Sequence, residues 1–167
     1  MPSSPIDTLA AAPASTLSGV ARVLVHAGKL SVKAAEALAK TARDRRTSFL
    51  SAAIDDGALS AAEMAHALSS TLALPLLDLA TLDPARLPRN LIDAKLAAQY
   101  QVIALGRRGS RLFIGGADPT DQEAIERIKF ATQLSPEWVV VEHPKLARLL
   151  ENASTSAAEA QIGRAHV

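Results

Sequence analysis

Cysteine is absent from the 167 residues, which excludes disulfides and thiolate metal sites and is compatible with a reducing compartment. Aromatic residues are nearly absent too, at 3% of the chain, so a core has to be assembled from Leu, Val, Ile and a great deal of Ala. With 49% hydrophobic residues such a core can still be sizeable. Neither sign of charge dominates. Eighteen basic against seventeen acidic residues leave a formal charge of +1, which gives no electrostatic case for nucleic acid or for an anionic membrane surface. No apolar run approaches the roughly 20 residues of a membrane-spanning helix, so no direct membrane insertion is expected. The N-terminus lacks the basic start and continuous apolar stretch of a secretory signal, and a soluble cytoplasmic protein is the default expectation.

What is present is pattern. Residues 1–16 are rich in Ala, Ser and Pro and carry one charged side chain, Asp7; this composition predicts a disordered leader. Helical spacing begins at Leu17, and four helices are expected over 17–72. They read as two copies of one pattern: Leu24-Val-His-Ala-Gly-Lys-Leu-Ser31 aligns with Ala53-Ile-Asp-Asp-Gly-Ala-Leu-Ser60 at an offset of 29 residues. Each copy gives a helix, a glycine stop (Gly28, Gly57), a leucine that pins the turn, and a serine N-cap, the logic of an αα-hairpin. Ser60 with Glu63 three residues on predicts a capping box.

Residues 73–152 read as a small β-α-β-β-α-β-α unit. Strands are expected at Leu74–Leu79, Val102–Leu105, Leu112–Gly115 and Trp138–Glu142, with helices over Pro88–Tyr100, from Thr120, and after Pro144. Gly106 to Arg111 supplies the glycines of a hairpin loop, and Thr120 with Glu123 predicts a second capping box. The fold class is therefore α+β: two αα-hairpins followed by a small α/β subdomain. The Ala-rich stretch 153–167 reads as a flexible linker.

Reactive chemistry is hard to find. Gly28-Lys29 lacks the earlier glycine and the following Ser or Thr of a phosphate-binding P-loop. His26, His66, His143 and His166 never fall at metal-ligand spacing. Asp118 and Asp121 flank a helix start, where carboxylates cap and turn. Arginines cluster at Arg43, Arg45 and Arg46 and again at Arg107, Arg108 and Arg111; the two sets read as solvated loops, or one of them as a contact to an anionic ligand or an acidic partner surface. Trp138 is a core residue or a protein-binding anchor with equal weight. No nucleophile–base pair, metal site or cofactor emerges, and a binding module is expected rather than an enzyme.

The ordered motifs Leu74-Pro-Leu-Leu-Asp-Leu79, Leu91-Ile-Asp-Ala-Lys-Leu96, Arg108-Gly-Ser-Arg-Leu-Phe113, Ala117-Asp-Pro-Thr120, Ala124-Ile-Glu-Arg-Ile-Lys-Phe130 and Val139-Val-Val-Glu142 carry a resemblance. Across about residues 17–150 the chain resembles the N-terminal region of type IV pilus extension ATPases of the PilB type, and more distantly that of type II secretion ATPases. The resemblance implies a regulatory portion of a hexameric motor, with 153–167 leading toward an ATPase core outside this chain. It implies a place at the inner face of the bacterial inner membrane, with the rest of the ATPase and the inner-membrane platform protein as partners. In some members of that family the helical repeat binds cyclic di-GMP. Carried over, Gly28 and Gly57 match the mid-repeat glycines and Leu24 the apolar position of the first copy. Gly19-Val-Ala21 and Ser48-Phe-Leu50 stand where Arg-Leu-Gly starts would be, and Ala42 and Thr71 stand in place of the glutamines. Other relatives are regulated by a PilZ-domain adaptor docking on this region. With the phosphate-pairing arginines missing, the adaptor is the expected partner here, with Trp138, Phe130, Arg107 and Arg108 as its candidate contacts.

Overall fold

The computed structural model describes residues 17–88 and 90–152, and the expected leader at 1–16 and linker at 153–167 lie outside them. Two compact units divide between Ala73 and Leu74.

The first unit is helical: α1 (Gly19–His26), α2 (Val32–Arg45), α3 (Phe49–Asp55) and α4 (Ala61–Leu72). Each begins on a serine in extended conformation, Ser18, Ser31, Ser48 and Ser60, whose hydroxyl accepts a first-turn backbone N–H. At Ser60 the expected capping box is complete, because the Glu63 carboxylate also accepts from the Ser60 N–H. α1 packs against α4 and α2 against α3. Small residues make these approaches close: Ala21, Ala35, Ala52 and Ala53 are fully buried alongside Leu24 and Leu68. An alanine orders no side-chain rotamers on burial, so an aromatic-poor core of this kind forms at a low entropic cost.

The second unit holds a three-stranded sheet in the order β1 (Val102–Arg108), β2 (Arg111–Gly116), β3 (Ser135–Val140). β1 and β2 form an antiparallel hairpin, while β2 and β3 run parallel across helix α6 (Gln122–Thr132). The hairpin turn needs only Gly109 and Ser110, so both strands extend further than their apolar runs indicated. A short helix α5 (Ala94–Tyr100) precedes β1, and helix α7 runs over 143–152. One face of the sheet carries Leu79, Ile103, Val141 and Leu146, with Leu77, Leu82, Leu87, Leu105, Leu149 and Leu150 packed around them.

Three expectations are corrected. Leu74–Leu79 makes one parallel bridge, Leu76 to Val140, rather than a strand. Pro75 has no N–H to offer a ladder, so the contact is confined to its carbonyl, accepting from Val140 N–H at 2.8 Å, and to Leu77 N–H, donating to Val140 at 2.9 Å. The helix expected over Pro88–Tyr100 is only α5. Ahead of it, two 3₁₀ turns, Leu79–Thr81 and Pro84–Arg86, are each opened by an aspartate, Asp78 and Asp83, whose carboxylate accepts a backbone N–H two residues on. These turns lay Leu79, Leu82 and Leu87 against the sheet. Finally, Asp121 rather than Thr120 caps α6, accepting from Ala124 N–H.

Candidate functional site

In the helical unit the candidate positions are the two repeat turns. Gly28 and Gly57 have φ of +74° and +77°, the left-handed conformation that stops a helix without a Cβ penalty. Their hydrogen bonds are the same set shifted by 29 residues. Gly28 N–H donates to Val25 and Lys29 N–H to Leu24; Gly57 N–H donates to Ile54 and Ala58 N–H to Ala53. The duplication is thus a duplication of backbone geometry. Leu24 is fully buried, so its side chain belongs to the core and only its carbonyl takes part in the turn. The residues at the starts of the copies, Gly19 to Ala21 and Ser48 to Leu50, bring no guanidinium to either turn.

In the α/β unit the four candidate contacts separate sharply. Trp138 is 8% exposed and is taken up by the sheet: its indole N–H donates to the Gly116 carbonyl at 3.0 Å, and the ring lies over Gly116, where any Cβ would overlap it. This assigns Trp138 to the core, against its expectation as a partner contact. Gly116 is a residue that sequence reasoning missed, since its reason is the ring across the ladder. Phe130, in contrast, is 79% exposed on α6, the most open large hydrophobic among the described residues. An open recess lies beside it, between Asn90–Ala94 and Ala131–Thr132.

Arg107 and Arg108 sit exposed at the end of β1, and the Arg107 Nε–H donates to the Gly109 carbonyl at 2.9 Å. Across the hairpin, Arg111 pairs with Glu137 at 3.2 Å and lies over the Phe113 ring at 5.5 Å. The Arg111–Glu137 pair joins residues 26 apart in sequence, and only the parallel register of β2 and β3 could have revealed it.

Two carboxylates mark the ends of the sheet. Burial pushes the Asp118 carboxyl above its ordinary value, opposed by the N–H and hydroxyl of Thr120, which both donate to it. Asp78 is held below its ordinary value by the Ala80 N–H and by Lys145, whose ammonium also contacts Glu142 at 2.7 Å and so ties α7 to the Asp78 turn. The side-chain partners of these carboxylates are the Thr120 hydroxyl and the Lys145 ammonium, and no group of His, Cys, Asp and Glu capable of holding a metal occurs among the described residues. No described helix is long and apolar enough to cross a membrane.

Comparison with known proteins agrees with that fold. Residues 72–160, more than half of the chain, match the MshEN domain. The chain is 33% identical over 147 residues to the type IV pilus assembly ATPase PilB of Pseudomonas aeruginosa, covering 88% of this chain and 26% of that protein. It is 34% identical over 133 residues to PilB of Acinetobacter baylyi, covering 80% and 23%. The chain therefore spans about a quarter of the length of these relatives. Among solved structures, MshE with cdg superposes with a TM-score of 0.61 at 23% identity, over 81% of this chain and 98% of that one. The N-terminal domain of XpsE does so with 0.62 at 24% identity, over 83% and 94%. The chain belongs to the MshEN domain family and is homologous to the N-terminal region of PilB-type pilus ATPases.

Proposed function

We propose that this chain is a non-catalytic regulatory domain of a type IV pilus extension motor, which receives a PilZ-domain adaptor and passes its presence to the ATPase core. The observation that carries the reading is Phe130: a large aromatic side chain left 79% exposed on a helix whose Ala124 and Ile128 are fully buried and whose Ile125 is half-buried. An aromatic in that position has no use in the fold and supplies a binding anchor. Arg107 and Arg108 add charge on the same unit. The ATPase core, the inner-membrane platform protein and a location at the inner face of that membrane follow from kinship to PilB, and belong to the proposal. Coupling works through differential binding: an adaptor that prefers one motor conformation raises its population.

The test is calorimetry of the purified chain with a PilZ-domain adaptor from the same cell. Binding with Kd of about 10 μM or tighter is expected, and Phe130→Ala should weaken it about thirtyfold, as hot-spot truncations do. Absence of binding with the wild-type chain overturns the proposal.

A second reading is a cyclic di-GMP sensor. It is favoured by the MshE structure with cdg and by the repeat turns, whose glycine geometry is kept in both copies. It is disfavoured by the absence of arginine at both copy starts. A titration of cyclic di-GMP into the chain decides: saturable binding that is lost on altering Gly28 or Gly57 supports this reading.

A further inference from the structure

We infer that the outer edge of β1, from Gly106 to Arg108, accepts an extended acidic segment of a partner protein as a fourth strand. The inference rests on the docking reading for the existence of a partner, and adds where it is gripped and by what chemistry.

The two edges of the sheet are treated differently. Beyond β3, the segment Pro75–Leu77 lies alongside and exchanges two backbone hydrogen bonds with Val140. Beyond β1, among the described residues, no backbone hydrogen bond reaches the strand from outside the hairpin. Val102, Ile103 and Ala104 are buried there, but exposure rises through Leu105 and Gly106 to Arg107 and Arg108. The open part of the edge is its second half.

The φ of Gly106 is not positive, and a Cβ built on it meets nothing within 4 Å. A strand glycine of that kind marks a bulge or a place where another backbone comes close. The register shift between Ala104 and Gly106 sets Leu105 and Gly106 together against Phe113, so Gly106 closes a bulge. From Gly106 to Arg108 the ladder is regular again, against Phe113, Leu112 and Arg111. A bare glycine there keeps the approach to the edge clear.

Charge identifies the occupant. Arg108 stands directly opposite Arg111, a like-charge cross-strand pair that by itself disfavours the hairpin. Arg111 is compensated on its other side by Glu137 of β3. Arg108, at the end of the row, has no ion pair among the described residues. Across the sheet the row runs Ser135, Arg111, Arg108 and then an open position at which the next strand's side chain would lie; Glu137, opposite Phe113, reaches Arg111 only from the diagonal position. A glutamate or aspartate on an added strand fills it, while the backbone bonds of strand addition supply affinity.

The test uses the 167-residue chain and a labelled seven-residue peptide of alternating Glu and Val. Fluorescence anisotropy is expected to show saturable binding, and the amides of Leu105 to Arg108 should exchange about tenfold more slowly with peptide bound. A fully N-methylated peptide of the same sequence keeps the charge and cannot form the ladder; it should not bind. Arg108→Glu should weaken the Glu–Val peptide about fivefold and improve a Lys–Val peptide by a similar factor. No binding at about 1 mM, equal binding of the N-methylated peptide, or protection elsewhere on the chain overturns the inference; an edge that is only shielded from aggregation binds neither peptide. The two proposals fail separately. An adaptor that binds while ignoring Arg108→Glu leaves docking intact and removes the edge, whereas peptide pairing without adaptor binding does the reverse.

Discussion

The helical unit and the α/β unit reach order by opposite means. In the first, each helix is specified by residues a few positions away: a serine at the start and an apolar stripe after it, with a glycine at the stop of α1 and α3. The copy that follows repeats the same instructions 29 residues later, down to the individual hydrogen bonds of the turn. In the second, the decisive contacts join distant parts of the chain, such as Trp138 with Gly116, Arg111 with Glu137, and Lys145 with Asp78, 67 residues apart. Local rules make a scaffold that tolerates exchange of its surface residues, so a ligand site built on it can be lost while the turns persist. Long-range rules make a unit whose edges and leftover aromatics are available to a partner.

That contrast can be broken most severely at Leu68, fully buried on α4. Leu68→Ala should cost about 2–5 kcal/mol in urea unfolding followed by circular dichroism; a loss below about 1 kcal/mol would mean that the alanine-rich core collapses around the gap. Next comes Gly116→Val, which drives a side chain into the indole. Overpacking of this kind costs about 1–3 kcal/mol, and the lone Trp reports it directly, through a shifted emission maximum and an earlier unfolding midpoint. Gly28→Ala and Gly57→Ala should each cost about 1–2 kcal/mol, the penalty of a Cβ at positive φ, since neither position has a steric obstacle. Equal losses at the two sites would sharpen the repeat, and a difference above about 1 kcal/mol would break its equivalence.

Smaller effects probe the sheet. Arg108→Glu turns a like-charge cross-strand pair into an attractive one and should stabilise the isolated chain by about 0.2–1 kcal/mol, measured as an upward shift in thermal midpoint. Asp118 tests the sign of burial. Its folded-state pKa is raised mainly by desolvation, so the folded chain holds its proton more tightly than the unfolded one. Stability is therefore lost as pH rises from the ordinary aspartate range through the raised value, and stays lower above it. Asp118→Asn, which keeps an oxygen to accept from Thr120, should flatten that slope and raise stability at neutral pH; an unchanged pH profile would show that the carboxylate is solvated.

Legibility followed the same division. The helix starts at Ser31 and Ser60 were legible, the latter as a capping box because both its partners sit within one turn, whereas the caps at Ser18 and Ser48 emerged only in the structure. The turn glycines were visible because glycine is the commonest residue at positive φ after a helix, whereas the left-handed caps at Arg46 and Ala73 carry no such signal in the sequence. In the second unit apolar runs located β1, β2 and β3, but not their ends, which depend on the register of partners. Leu74–Leu79 has the composition of a strand and lacks a ladder because of Pro75; Pro88–Tyr100 has helical spacing, but only Ala94–Tyr100 is helical. Among the candidate contacts, Phe130 and Trp138 had similar standing in the sequence. Packing left the first on the surface and placed the second under the sheet.

The order of residues alone fixed the four helices, the repeat and the absence of a thiol or P-loop site, since each depends on residue type within a few positions. Which aromatic is free, which arginine lacks a carboxylate and which sheet edge stands open were decided by tertiary structure, because they are properties of strand register and burial, and these exist only once distant segments meet.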